Sequence, residues 1–292
     1  MMNDDRFLMD KRLVRRSFDR SAERYDEAAV LQREVCDRLL ERLDLIAIQP
    51  QRVLDLGAGT GYALDDLLKR YRKAEIVALD ISPRMLLRAR RRGSWLRRPQ
   101  LVCADAEALP LADNSIDLLF SNLTLQWCSD LKRVFDEFRR ILKPGGLLMF
   151  TTFGPDTLKE LRQSWAMVDD NVHVNAFIDM HHVGDTLVRS RFVGPVMDVE
   201  HFILTYRDVF SLMGDLKQIG ANTLSQGRRH GFSARGRLKK MEQAYDGMRQ
   251  GGMLPASYEV IYGHAWVPEQ DSIPDVGGEV GIPVDQILRR GR

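Results

Sequence analysis

The chain lacks a cysteine framework. It holds three cysteines, Cys36, Cys103 and Cys128, an odd number at wide spacing. Neither a disulfide scaffold nor a structural zinc site is built that way, and a reducing compartment is expected. It lacks a long apolar run: nothing approaches the roughly 20 residues a helix needs to span a bilayer. The opening MMNDDRFLMDKRLVRRSFDR carries acids and no apolar secretory segment, so no export signal is expected, and a cytoplasmic location is. It lacks charge of one sign. Lys and Arg number 43 against 41 Asp and Glu, which gives no global reason to expect nucleic acid or a membrane as a partner. Histidines are few, and His173, His181 and His182 have no carboxylate or cysteine at ligand spacing, so surface or packing roles and no metal are expected. No internal repeat is present.

What is present is enough apolar sequence, 44% of residues, for a sizeable core in one large domain with additions. Residues 1–50 read as helices, with Val30, Leu31, Val35, Leu39, Leu40 and Leu43 near helical spacing. Strands are then expected at 52–56, 75–79, 100–104, 116–121 and 147–153. Helices fall between them at 62–71, from Ser82-Pro83 to near Gly93, and at 130–142. Such alternation predicts an α/β fold with a parallel sheet covered by helices. A helix opens at Pro155-Asp156 and runs to about 168, another spans 208–220, and strands are expected at 201–206 and 258–267. Residues 169–200 show no clear period and read as an insertion over the carboxyl edge of the sheet. The division expected is a helical lid (1–50), a ligand-binding core (51–154), a substrate side with the remaining strands (155–267) and a tail (268–292). The tail is rich in Gly, Pro and acids and reads as disordered.

The strongest local signal is Val53-Leu54-Asp55-Leu56-Gly57-Ala58-Gly59-Thr60-Gly61, where a strand runs into a glycine-rich turn. Glycines turn tightly and let a ligand approach the backbone. The spacing is GxGxG, not the GxGxxG of dinucleotide folds. Asp80 ends the next strand about twenty residues on, where a carboxylate can accept from both ribose hydroxyls. Asp105 follows the third strand, where it can accept from an adenine amino group. Either aspartate alone could be a helix N-cap. Two at successive strand ends, where open α/β sheets bind their ligands, point to a nucleoside.

These residues, with Leu79-Asp80, Asp105-Ala106, Asp117-Leu118-Leu119-Phe120-Ser121-Asn122 and Leu142-Lys143-Pro144-Gly145-Gly146, resemble the ordered motifs of class I methyltransferases over residues 52–153. The resemblance implies a Rossmann-like fold: a seven-stranded, mainly parallel sheet whose last strand is antiparallel, helices on both faces and a helical lid. It implies S-adenosyl-L-methionine as cofactor. Asp55 and the turn of Gly57, Ala58, Gly59 and Gly61 would pack near its methionine part. Asp80 would hold the ribose, with Ile81 beside it, Asp105 and Ala106 would flank the adenine, and Asn122 and Leu123 would lie by the methionine moiety. No phosphate needs binding, and the turn has no P-loop lysine.

Four further stretches stand out, one of them inside that core: Ser17-Phe18-Asp19-Arg20-Ser21-Ala22-Glu23-Arg24-Tyr25-Asp26, Asn122-Leu123-Thr124-Leu125-Gln126-Trp127-Cys128, Thr151 to Leu161, and Leu216-Lys217-Gln218-Ile219-Gly220-Ala221-Asn222. They resemble the malonyl-acyl-carrier-protein O-methyltransferases that start pimeloyl synthesis for biotin. The resemblance implies methylation of a free malonyl carboxylate. A carboxylate of pKa roughly 3–4 is already ionised at neutral pH, so no acid–base residue is expected, and the protein positions and desolvates. Arginine binds carboxylates bidentately; the candidates are Arg162, Arg228 and Arg229. Tyr25 and Trp127 are the aromatic candidates to cover the cofactor and line a substrate channel, with core packing as their other reading. Assembly factors of respiratory complex I share the Phe-Asp-Arg opening and the Gln-Trp segment and imply an arginine hydroxylase instead. A methyltransferase for another small acid or a quinone is the remaining alternative.

Arg88, Arg90, Arg91, Arg92, Arg97 and Arg98 form a dense cluster. It reads as a solvated face, or as a dock for an acidic acyl carrier protein. Arg235, Arg237, Lys239 and Lys240 form a rival patch. Neither has the interleaved aromatics of an RNA site. The oligomeric state is not legible.

Overall fold

The computed structural model describes residues 9–221 and 234–269. Arg228, Arg229 and residues 270–292 of the expected tail lie outside them. Three helices come first: α1 (Lys11–Ser21), α2 (Tyr25–Ala28) and α3 (Val30–Leu43). Then β1 (Arg52–Leu56), α4 (Leu64–Arg70), β2 (Glu75–Asp80), α5 (Pro83–Ala89), β3 (Gln100–Cys103), β4 (Ile116–Ser121), α6 (Leu131–Ile141) and β5 (Leu142–Phe153) follow. The rest is α7 (Lys159–Ala166), α8 (Met180–Arg189), β6 (Val193–Tyr206), α9 (Val209–Gln218), α10 (Ala234–Asp246) and β7 (Leu254–Trp266).

The seven strands form one sheet in the order β3-β2-β1-β4-β5-β7-β6. All pairs among the first five are parallel. The last strand, β7, lies antiparallel between β5 and β6, as the resemblance implies. Burial on both faces explains the near-continuous apolar runs of the central strands. Val53, Ala78, Leu118, Phe120 and Met149 pack on one side with Leu39 and Leu43 of α3 and Leu64 and Leu67 of α4. Leu54, Leu56, Leu79, Leu119 and Phe150 pack on the other with Phe135 and Phe138 of α6 and Leu187 of α8. The helical series of α3 is confirmed from Leu31 onward, whereas Val30 is 56% exposed. The Ser82-Pro83 start holds: Ser82 Oγ accepts from the Met85 amide at 3.2 Å, with proline in the first turn.

The stretch 169–200 divides differently from the insertion expected of it. Only 169–179 runs beside the carboxyl ends of the strands. Residues 180–189 form α8, which packs on α6 and β6 as part of the ordinary helical layer. Residues 193–200 are the first half of β6. Gly194 and Pro195 hid that half, because a proline argues against a central strand. Here it is tolerated because β6 is an edge strand, hydrogen-bonded among the described strands only to β7 and shifted in register between Val193 and Val196.

Candidate active site

The chain turns sharply where β1 ends. Gly57, Gly59 and Gly61 all have positive φ, at 72°, 54° and 82°, a region glycine enters without penalty. Each has its own reason. A Cβ on Gly57 would collide with the Thr124 side chain, and one on Gly61 would meet Leu64, Arg92 and the Ala89 backbone. A Cβ on Gly59 would meet nothing within 4 Å, because Gly59 faces an open cleft of about 840 Å³.

Two buried carboxylates stand at this turn. Asp80 is 8% exposed and Asp55 3%. The Asp80 carboxylate accepts from the Gly59 amide at 2.9 Å and the Ser82 amide at 2.7 Å. Burial nevertheless pushes it up to about 6, against those two amides. Asp55 goes up to about 7 through burial and then the charge of Asp80, and its Oδ2 has no hydrogen-bond partner among the described residues. Asp55 lines a side chamber of about 480 Å³ with Gly57, Ala58, Gly59 and Asn122. Negative charge held this deep favours a cationic ligand. A sulfonium compound with an ammonium group and a ribose is such a ligand, so the site fits S-adenosylmethionine.

The same cleft is lined by Ile81, Asp105, Ala106, Asn122, Leu123 and Trp127. Of the residues expected to hold cofactor, only Gly61 borders neither chamber; it serves the close packing of α5. Asp105 accepts from the Glu107 amide at 3.0 Å and from Lys11 Nζ at 3.1 Å. Asn122 is fixed by donating to the Gln32 carbonyl at 3.0 Å and accepting from Thr151 at 2.8 Å. Leu123 beside it takes φ 48°, a strained conformation for a leucine, and its amide donates to Thr151 Oγ1 at 2.9 Å.

Helix α1 covers this cleft. Lys11 also donates to the Trp127 carbonyl at 3.2 Å and pairs with Glu107 at 2.7 Å. Phe18 meets Trp127 edge-on at 5.2 Å. Tyr25 lines both chambers, and burial, then Asp80, raises its hydroxyl pKa, so it stays neutral. Cys128 also borders the cleft, and burial pushes its thiol up to about 12, which makes it inert.

A further chamber of about 560 Å³ adjoins the cleft. Gln32, Gln126, Trp127, Phe153, Ile219 and Ala221 border both. Its other walls are largely apolar: Leu158, Leu161, Val174, Phe177, Leu216 and Tyr258. No arginine lines it among the described residues. Arg162 instead donates to the carbonyls of Pro155 and Thr157 at 2.8 and 2.5 Å. His173 does have a carboxylate, contrary to expectation: its Nε2 lies 2.7 Å from Asp169 Oδ1. Away from the cleft, Asp156, His201 and Glu259 bring one ligand atom each within 4.8 Å of one another, and Lys159 pairs with Asp156 at 3.0 Å.

A sheet in this order, a glycine turn after its first strand and acids after the next two define a class I S-adenosylmethionine-dependent methyltransferase. A methyltransferase-domain family model matches residues 54–150. An S-adenosylmethionine-dependent methyltransferase from Thermotoga maritima shares the fold at TM-score 0.51 and 19% identity, covering 88% of this chain and 100% of that one. A Bacillus halodurans protein described as a methyltransferase does so at TM-score 0.57 and 15% identity, covering 80% and 99%. The malonyl-acyl-carrier-protein O-methyltransferase of Halorhodospira halophila is 54% identical over 290 residues, 97% of each chain. That of Methylovorus is 52% identical over 281 residues, 94% of this chain and 95% of the relative. The chain belongs to the malonyl-acyl-carrier-protein O-methyltransferase family.

Sequence reasoning missed Lys11, Gln32, His173 and Asn175 as residues of these chambers. No motif marks them. Lys11 and Asp105 lie 94 residues apart, and only the fold brings them together.

Proposed function

We propose that this chain transfers the methyl group of S-adenosyl-L-methionine to the free carboxylate of a malonyl thioester on an acyl carrier protein, in the pimeloyl branch of biotin synthesis in the cytoplasm. The observation that carries this reading is the pair of joined chambers, one lined by the carboxylates of Asp80 and Asp105 and one largely apolar, in a chain half-identical to enzymes of that name.

When bound, S-adenosylmethionine supplies an electrophilic methyl group on a sulfonium. Asp80 accepts from the ribose hydroxyls, with Ile81 beside it, and Asp105 and Ala106 border the adenine. Asp55, the Gly57–Gly59 turn, Asn122 and Leu123 take the methionine end, where the acid answers its ammonium. Tyr25 and Trp127 close the cleft over the cofactor. Gln32, Gln126 and Phe153 stand where the chambers meet and orient the malonyl carboxylate. That group is ionised at neutral pH, with a pKa of roughly 3–4, so the chain needs no general base. Its own contribution is orientation and exclusion of water, which helps because opposite charges cancel as the methyl moves. Arg162 acts on the chamber through the 155–157 turn it holds. Arg228, outside the described residues, stays the arginine candidate for the carboxylate.

For the carrier we propose the basic face of α5 and the segment after it. Arg88, Arg91 and Arg98 form no ion pair there with the described residues, whereas Arg92 is tied to Asp26 and Asp65 and Arg97 to the carbonyls of Leu68, Tyr71 and Ala74. A second reading puts the carrier on Lys239 and Lys240 of α10, because α10 packs on α7, which walls the apolar chamber.

The test is incubation with methyl-labelled S-adenosylmethionine and a panel of malonyl carrier protein, malonyl-CoA and free diacids. Label on the malonyl thioesters supports the reading. Label only on a free diacid, or cofactor binding without transfer, overturns it.

A further inference from the structure

Among the described residues, the wall of the apolar chamber holds a buried polar atom that its surroundings leave unanswered. Asn175 is 8% exposed and lines the chamber. Its Oδ1 has no hydrogen-bond partner among the described residues. Buried acceptors are nearly always satisfied in folded proteins, so an unsatisfied one on a residue that walls a cavity marks where a ligand donor belongs.

The segment carrying Asn175 is firmly held. His173 stacks on Trp165 at 3.7 Å and 10°, and pairs with Asp169 at 2.7 Å. Asp169 is gripped in turn by Arg237 of α10 at 3.2 Å. On the other side, Phe177 meets Phe153 edge-on at 5.6 Å, and Asp179 caps α8 by accepting from the His182 amide at 3.0 Å. Asn175 is therefore positioned before any substrate arrives.

Its chemistry then selects which part of a malonyl thioester it can meet. The carboxylate and the thioester carbonyl are acceptors and offer no proton. The first donor along a carrier's thioester arm is the N–H of the amide two carbons from the sulfur. We propose that Asn175 recognises this amide, its Oδ1 accepting from the arm N–H, and that the apolar chamber is the subsite for the pantetheine arm. This rests on the thioester reading above. It places the carboxylate at the Gln32–Gln126 junction, the thioester in the apolar chamber and the amide at Asn175. It gives the enzyme a way to prefer carrier-bound malonate over free malonate without any charged contact.

The experiment compares two small substrates of the same shape: the malonyl thioester of N-acetylcysteamine, and its analogue in which an ester oxygen replaces the amide N–H. Wild type should prefer the amide by about tenfold in kcat/KM, mostly through KM, the worth of one buried hydrogen bond. Asn175→Leu should treat the two alike, and so should Asn175→Ala, whose smaller side chain guards against a packing defect. Equal use of both substrates by wild type overturns the assignment, as does a preference that survives in both variants. Failure of wild type to methylate either thioester, with cofactor binding intact, overturns the thioester reading itself.

Discussion

At the scale of single residues, the acids at the ends of β1 and β2 are where sequence and geometry agree best. Asp55, Asp80 and Asp105 were legible because strand ends fix their positions, and a short motif records each strand end. Asp80→Ala should weaken S-adenosylmethionine binding about ten- to a hundredfold, the usual worth of a hydrogen bond to a charged group. Calorimetry with unchanged affinity in a folded variant would remove Asp80 from the site. The raised carboxylates also predict a pH dependence of stability. Between the ordinary 3.8 and the raised values of about 6 and about 7, the folded chain keeps protons that the unfolded chain has lost. Stability of the cofactor-free protein therefore falls as pH rises through that window and levels off above it. Asp55→Asn, which cannot ionise, should melt a few degrees above wild type at pH 8, with the gap closing towards pH 5. Equal midpoints at pH 8 contradict a buried, costly charge. Asn175 escaped the sequence reading because its meaning lies in being enclosed, and enclosure has no local signature.

At the scale of elements, the alternating strands and helices of residues 52–153 were legible because each buried strand is a short apolar run bounded by turn residues. The later part was less so. The burial of β6 is irregular, as befits an edge strand, and Pro195 sits where a central strand would exclude it. In β7, Pro255 sits beyond the last residue paired with β5, so its missing amide costs no ladder bond on that side. Helix α1 was expected as a lid, and the structure shows how it is fastened. Met9 and Val14 pack with Phe18, Ile81 and Trp127 in a small cluster of their own, and Lys11 ties the start of the helix to Asp105 and Glu107. Because these ion pairs are partly exposed, they should contribute modestly. Lys11→Met should release bound cofactor about two- to fivefold faster, with little change in thermal midpoint. Stopped-flow dissociation at the wild-type rate would show that α1 does not gate the cleft through this contact.

At the scale of the whole molecule, the near balance of 43 basic and 41 acidic residues conceals local segregation. Charge on the face of α5 and the segment after it is exposed at Arg91 and Arg98 and partly so at Arg88, and should act over about 8 Å at physiological ionic strength. Reversing Arg88 and Arg91 to Glu should raise KM for malonyl carrier protein, leave kcat near normal and spare malonyl-CoA, because the contact is shared by ground and transition states. The same reversal at Lys239 and Lys240 is the comparison, and an effect confined to that pair would move the dock to α10. The central claim, methyl transfer to a malonyl carboxylate, is tested most directly by locating the transferred carbon. With 13C-methyl S-adenosylmethionine and malonyl carrier protein, nuclear magnetic resonance should show a single new methyl ester, released as methanol by mild alkali. A new methyl on nitrogen, sulfur or carbon, or no transfer while the cofactor remains bound, would contradict the account.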